Sequence, residues 1–565
     1  MFVNAISAQR NIGWKGANGA NWSVASNWNY SGVSILGSFS AATVAAPNPT
    51  ITLATADLDI SVGDEVSGYG IPYNAVITSI DATDRKKITI SPAPIATVAA
   101  PGANLCFTFA TPKTTLTPPN SLDIAVIGNG TSPNLDQSSY YLSGLTVSNA
   151  SGAVSGSTLT IPSGVEIYID SSSPQALLLK GGNIVNNGFL EIISRFQAGT
   201  SNTNSAYAIT CALPEVIPTL DTEYTYSGTG ALNINTYDGS NFSGGFFFGG
   251  HDANANKATY KFLFDGTTSF LLSPRLSSNG SANTHLMRAV GIGTLNACKV
   301  IIGGAGFDFG TNTAGATNGF LTVVGGGVDL TITQGTTINI FSDASNPTSL
   351  ISMYVFGSNS STIIPPFIRN NGTLNIKGSL QRSVFSLTAQ NFGVVNFVNN
   401  GVVDTDTTSV LSGNAIIALT PNGGTTTVAD VNLINNATMS LKTKINGAYW
   451  GASIAMTTFS GAPNFHLNNS GTLNLTGSTY SFGGRTYNPL TPTTTGTSRI
   501  TNSGTINTNQ ELRSFYTENT STGKITFLST NTPTTQKFVT FSIASFVNAS
   551  VGDVYRDPNN NLHKV

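Results

Sequence analysis

The amino-acid sequence predicts an all-β protein: a right-handed parallel β-helix with a small β-barrel or sandwich module inserted near its N-terminus. Three observations carry that prediction. The first is composition. Of 565 residues only 9% are charged, with 25 Lys+Arg against 27 Asp+Glu, where a soluble domain usually holds about 25%. Ser, Thr, Asn and Gly take the place of the missing charge, and their poor helix propensity excludes long periodic helices. The second is a recurring phrase of two Asn, or Asn-Ser, then Gly and an alternating run. The third is a cluster of short strand-like segments between 40 and 110 that interrupts the pattern.

The phrase stands as Ile184-Val185-Asn186-Asn187-Gly188-Phe189-Leu190, as Ile368-Arg369-Asn370-Asn371-Gly372-Thr373-Leu374 and as Val398-Asn399-Asn400-Gly401-Val402-Val403. Ile434-Asn435-Asn436-Ala437-Thr438-Met439 is a degenerate copy. Leu467-Asn468-Asn469-Ser470-Gly471-Thr472-Leu473 and Ile500-Thr501-Asn502-Ser503-Gly504-Thr505-Ile506 complete the set. From Gly372 onward the glycines, with Ala437 in register, are 29, 36, 34 and 33 residues apart. Asn-Gly supplies φ > 0 cheaply and so predicts a tight turn. Alternation of apolar and polar residues on either side predicts half-buried strands. Any single copy also fits a β-hairpin. Near-regular repetition instead makes each repeat one coil of a solenoid, with Asn side chains stacked into hydrogen-bonded ladders. A propeller or a sandwich array is the competing architecture.

Taken in chain order, residues 1–39 form a Trp-rich cap and residues 40–112 the inserted module. The module's strands include Ile51-Thr52-Leu53, Val76-Ile77-Thr78-Ser79-Ile80 and Lys87-Ile88-Thr89-Ile90-Ser91, between Pro/Ala-rich flanks. Residues 113–530 form the parallel β-helix, and 531–565 a closing segment. The phrase is absent between about 195 and 365, where strand-like pieces such as Tyr260-Lys261-Phe262-Leu263-Phe264 persist. That stretch is expected to continue the solenoid with longer side loops, Gly244-Gly245-Phe246-Phe247-Phe248-Gly249-Gly250-His251 among them.

Two resemblances follow. Trp14, Asn21-Trp22-Ser23 and Ser26-Asn27-Trp28, continued by Pro118-Pro119-Asn120-Ser121-Leu122-Asp123, resemble the Trp-rich opening of autotransporter-type adhesin β-helices. The run Val62-Gly63-Asp64-Glu65-Val66-Ser67-Gly68-Tyr69-Gly70-Ile71-Pro72 is similar to small β-modules of phage tail and capsid-decorating proteins. Val551-Gly552-Asp553-Val554-Tyr555-Arg556-Asp557 and Leu562-His563-Lys564-Val565 resemble the hairpin that closes many tail-fibre chains. Together these imply a phage tail-fibre or spike-like β-helix protein, and by the same resemblance a homotrimer. A bacterial surface adhesin or surface-layer component is the alternative. The N-terminus lacks the basic and apolar regions of a secretory signal, and no apolar run is long enough to cross a bilayer. A virion protein, made in host cytoplasm and working outside it, is the expectation.

Candidate chemistry is sparse. Asp404 and Asp406, two apart, would share a strand face, and paired carboxylates are what glycan cleavage requires. As a solvated turn after Gly401 they would be structural. The chain has no nucleophile motif and is not expected to be an enzyme; were it one, the resemblance to phage spikes implies a polysaccharide hydrolase or lyase. Tyr237, Phe246, Phe247, Phe248 and His251 are the candidate binding residues, as a sugar or protein platform; a subunit contact is the competing role. Asp57, Asp59 and Asp64 read as strand-edge gatekeepers. Cys106, Cys211 and Cys298 show no metal or disulfide spacing and read as buried thiols. The four histidines have no ligand spacing, so no metal and no cofactor are expected. Near-neutral charge without basic runs excludes nucleic acid as the main partner. The expected partners are further copies, other virion proteins, and a host surface glycan or protein.

Overall fold

The computed structural model describes residues 10–30, 35–43, 47–53, 60–68, 71–72, 75–94, 104–108, 113–114, 118–121, 123–128, 130–148, 156–173, 175–195, 206–211, 222–236, 243–249, 258–272, 285–291, 298–310, 319–342, 349–356, 364–380, 383–390, 393–405, 410–411, 416–420, 429–442, 452–458, 464–476, 480–482, 498–509, 511–512, 516–527, 554–556 and 562–564. The chain is all-β, a parallel β-helix, and divides into two compact units, 1–193 and 194–565. Among the described residues no helix is long and apolar enough to cross a membrane.

In the first unit, Arg10–Trp14 pairs in parallel with Asp123–Ile127, which continues through Gly144–Ser148 to Gln175–Lys180. Thr158–Ile161 pairs with Asn183–Asn186 in a second sheet, and Ser139–Leu142 with Glu166–Ser171 in a third. Alternate residues point inward, so Ala125, Val147, Leu159, Ile167 and Leu177 are fully buried. A tryptophan cluster closes the core. Trp22 lies 4.5 Å from Trp28 and 5.3 Å from Tyr140, both edge-on, and Trp14 lies 5.0 Å from Trp28. The indole N–H of Trp28 donates to the carbonyl of Trp22 at 2.8 Å, and that of Trp14 to the Thr131 hydroxyl at 3.1 Å. Ser23 donates its hydroxyl and its backbone N–H to Asp136. Burial pushes the Asp136 carboxyl upward, but the Ser23 donors outweigh it and hold it below its usual value.

Residues 35–108 form a closed barrel in the order Ile35–Thr43, Thr50–Leu53, Lys87–Ser91, Ala75–Ile80, Glu65–Gly68, Asn104–Thr108. Its first strand begins at Ile35, ahead of the boundary at 40 expected from the sequence. Ile51, Val66, Ile77, Ile88 and Ile90 fill it. The chain leaves and returns at one place. Ile35 pairs with Phe107, and outside the barrel Asn29 pairs with Thr114 and Tyr30 with Lys113. Asp64 is buried and accepts the Ser61 N–H at 2.7 Å, so it closes a turn rather than guarding a strand edge. Asp57 and Asp59 lie outside the described residues.

In the second unit three sheets repeat rung after rung. The first passes from Ala206–Cys211 through Ser243–Gly249 and His285–Val290 to Glu511–Leu512. The second passes from Thr222–Ser227 through Phe367–Asn370, Val394–Asn399, Asp430–Asn435, Asn464–Asn469 and Ser498–Asn502 to Tyr516–Asn519. The third runs from Gly306–Phe309 through Thr337–Ser342, Thr373–Leu380, Val402–Thr405, Thr438–Lys442 and Thr472–Thr476 to Lys524–Phe527, while Ala231–Thr236 and Thr268–Leu272 pair with each other in a separate sheet. The stretch without the Asn phrase is therefore solenoid too. Near the C-terminus Val554–Arg556 pairs antiparallel with Leu562–Lys564.

The Asn phrase builds a buried ladder. Asn370 donates to Asn399 at 2.9 Å, Asn399 to Asn435 at 2.8 Å, and Asn435 to Asn469, Asn469 to Asn502 and Asn502 to Asn519 at 2.7 Å each. Each Nδ2 also reaches backbone carbonyls; that of Asn435 donates to Ala437 and Thr472, both at 3.1 Å. The ladder starts at Asn370 because Ile332 occupies the register position on the preceding rung and offers no donor, leaving Asn370 Oδ1 buried without a partner. A second ladder on the outside runs in the opposite sense. Asn436 donates to Asn400 and Asn400 to Asn371, both at 2.8 Å.

The glycine of the phrase is required for a different reason from the one the sequence suggests. Gly188, Gly372, Gly401, Gly471 and Gly504 do not have positive φ. A Cβ there would instead lie 2.0–2.4 Å from a backbone carbonyl oxygen of a stacked neighbouring turn. Gly325 and Gly327, between the strands Gly319–Val324 and Val328–Ile332, do have positive φ, at 82° and 76°.

Candidate binding faces of the solenoid

The residues singled out from the sequence fall in three environments. Phe246 and Phe248 lie on the strand Ser243–Gly249, not in a side loop, and both rings are fully buried. They pack edge-on against Phe262 at 5.5 and 5.3 Å, so they form core and offer no platform. Phe247 points outward, half-buried, with its ring 5.1 Å from Tyr207. Tyr237, His251 and Asp406 lie outside the described residues. Cys211 and Cys298 are buried, and desolvation pushes both thiols up, Cys298 to about 12. Cys106 lies on the strand Asn104–Thr108.

Asp404 stands on the outward face of the third sheet in the second unit, half-buried. Its column is mostly amides. Asn339 donates to Asp308 at 2.7 Å and Asn375 to Asn339 at 2.9 Å. Register then places Asp404 after Asn375 and Ser440 after Asp404. Beyond the gap Asn474 donates to Ser440 at 3.0 Å and Asn507 to Asn474 at 2.8 Å. Asn375 directs its amide N–H to Asn339 and none to Asp404, and Asp404 has no donor to give. Among the described residues no hydrogen bond or ion pair reaches Asp404. Thr337, Thr373, Thr438, Thr472 and Thr505 occupy the adjacent column, with Val402 in register between Thr373 and Thr438. Hydroxyls and amides make up most of this face, with the open Asp404 carboxylate in the amide column, Lys524 after Thr505 in the threonine column, and Lys377 and Lys442 further along their strands. Asp308 sits three rungs from Asp404, about 14 Å at the usual strand spacing, too far to pair with it in glycoside hydrolysis.

The first unit presents a different face. Tyr141 and Tyr168 lie in register on paired strands and stack with centroids 5.0 Å apart and planes 8° from parallel. Phe189 tilts against Tyr168 at 5.6 Å. The Tyr168 hydroxyl donates to Glu166 at 2.7 Å. That bond, with the nearby charges of Glu166 and Glu191, pushes the phenol up to about 12 and keeps it neutral. Tyr141 is 56% exposed. The members of this stripe belong to no recurring phrase, so the repeat does not mark them. The legible signal was an aromatic at an outward position of alternating strands.

No family model and no curated protein matches the chain. Among solved structures, it is similar to the Gp54 tailspike of the Acinetobacter baumannii bacteriophage AP22, determined in complex with A. baumannii capsular saccharide. Identity is 10% and the TM-score 0.22, over 84% of this chain. The chain spans 64% of that tailspike's length. A likeness at this level carries no weight for function, and the functional reading rests on the faces just described.

Proposed function

We propose that the chain is a bacteriophage virion component, a tail fibre, spike or head fibre, that presents its β-helical surface to the host cell. The observation that carries this is the hydroxyl-and-amide face of the second unit, held on stacked rungs by a buried Asn ladder. Such a stack orders outward groups without a large charged field. That suits a surface that must meet sugar or protein outside a cell and stay soluble with few charges. A homotrimer of 58.6 kDa chains, other virion proteins and a host surface glycan or protein are the proposed partners.

Antibodies raised against the full-length chain test the role directly. Gold-labelled antibody on the tails or capsids of purified phage particles supports it. Label confined to bacterial cell surfaces overturns it in favour of an adhesin. The open Asp404 carboxylate favours one second reading, a polysaccharide-degrading spike. Release of new reducing ends from host polysaccharide, lost in Asp404→Asn, would support that reading. Unchanged release in Asp404→Asn would remove Asp404 from it.

A further inference from the structure

We propose that the outward ring of Tyr141, with the Glu166 carboxylate on the neighbouring strand, binds a saccharide that carries a free amino group. This deepens the attachment reading by assigning one face of the first unit and a ligand class to it.

The geometry is that of a shelf. The strand Ser139–Leu142 pairs with Glu166–Ser171 and is the first of its sheet. Tyr168 covers one face of the Tyr141 ring, and among the described residues no further strand of that sheet covers the other. Hence 56% of the residue stays in water. An exposed ring backed by a parallel ring is rigid, and its open face suits the C–H face of a pyranose. The bond from Tyr168 holds the Glu166 carboxylate beside this stack. Among the described residues no ion pair involves Glu166.

Ring and carboxylate together select the ligand. The stacked pyranose lies on the face of Tyr141 turned away from Tyr168, so the ammonium that meets Glu166 through a charge-assisted hydrogen bond belongs to a neighbouring residue of the oligomer, whereas a uronic acid would set like charges together. A protein partner fits poorly. Of the other exposed large apolar residues among those described, Val24, Val62, Leu271 and Val402, only Leu271 lies on a strand of the same sheet, Thr268–Leu272, and none lies on Ser139–Leu142 or Glu166–Ser171. A stable protein interface buries about 800 Å² on each side. A polyamine shares the ammonium but has no flat C–H face to lay on the ring.

Calorimetric titration of the full-length chain with a glucosamine hexamer, its N-acetylated counterpart, a galacturonate oligomer and spermine tests this at low ionic strength. The glucosamine oligomer is expected to bind, with the other three at least tenfold weaker. Tyr141→Ala and Glu166→Gln should each weaken it at least tenfold while leaving the thermal transition in place. The proposal is overturned by no binding of the glucosamine oligomer, by equal binding of the N-acetylated oligomer or spermine, or by an unaffected Tyr141→Ala variant. A change in solution mass on Tyr141→Ala also overturns it, because the ring would then be a subunit contact. The two readings fail separately. Gold-labelled virions with no amino-sugar binding overturn only this inference, and amino-sugar binding with label on bacterial cells alone overturns only the virion role.

Discussion

Asn435 donates from Nδ2 to Oδ1 of Asn469 at 2.7 Å across 34 residues of sequence, and both side chains are buried. Asn399, Asn435, Asn469 and Asn502 each accept from one rung and donate to the next, so removing one leaves its successor's oxygen without its donor. Asn435→Ala should cost about 2–4 kcal/mol, the scale of a buried group left unsatisfied plus the carbonyl bonds lost with it. Asn435→Asp should cost more, because it sets a buried carboxylate against the Asn469 oxygen. Urea unfolding of the two variants checks both the loss and its order.

Gly401 and Ala437 occupy the same place on successive turns, and the backbone records the difference. Thr438 N donates to the Gly401 carbonyl at 3.2 Å, where the equivalent bonds of Val402, Thr472, Thr505 and Lys524 measure 2.7–2.8 Å. A Cβ on Gly401 would lie 2.0 Å from the Gly372 oxygen. Gly401→Ala should therefore destabilise by about 1–3 kcal/mol through overpacking. Ala437→Gly should be nearly neutral, since relief at the long bond offsets the entropy of a glycine in the unfolded chain. Melting temperatures of the pair provide the test.

The barrel is expected to be removable. Because Asn29–Thr114 and Ile35–Phe107 are paired positions, replacing residues 31–112 with a short Gly/Ser linker joins two neighbouring strands. The shortened chain should keep the near-ultraviolet circular dichroism of the Trp14, Trp22 and Trp28 cluster. Loss of that signal would show that the barrel is needed to fold the first rungs.

Acid should weaken the second unit at one identifiable place. His466 Nε2 lies 3.7 Å from Asp430 Oδ1 and Asn464 donates to the same oxygen at 2.9 Å. These partners, His466 first, hold the Asp430 carboxyl below its ordinary 3.8. A depressed folded value means the stabilisation is complete above the unfolded value and is lost as pH falls through the folded one. Thermal unfolding followed between about pH 2 and pH 6 should fall at the acid end in the wild type, with a shallower fall in Asp430→Asn. Both side chains are about one-third exposed, so salt should reduce the difference.

Much of the solenoid was legible because its repeat is chemical. The spacings 29, 36, 34 and 33 between phrases are the sequence separations of the ladder bonds that begin at Asn370, Asn399, Asn435 and Asn469. What the residues do not reveal singly is contact between rungs. Asn-Gly suggests a positive φ, yet the glycines answer to a carbonyl brought close only by stacking. The same cause hid the strand at Phe246. Gly244 and Gly245 read as loop, but a Cβ on Gly244 would lie 2.1 Å from the His285 oxygen and one on Gly245 3.0 Å from the Leu286 oxygen. Tyr141 and Tyr168 escaped notice because register, not sequence spacing, brings them together.

Every face described above depends on rungs stacked in parallel and in register, and a distance across several rungs tests that most directly. Thr373, Val402, Thr438, Thr472 and Thr505 follow one another in register, which places Thr373 and Thr505 four strand spacings apart, about 19 Å between Cα atoms. Spin labels at these two positions, in a chain with Cys106, Cys211 and Cys298 replaced by Ala, should give one narrow distance distribution consistent with that separation. A broad distribution, or a mean well beyond 30 Å once the label arms are allowed for, would contradict the stacked solenoid.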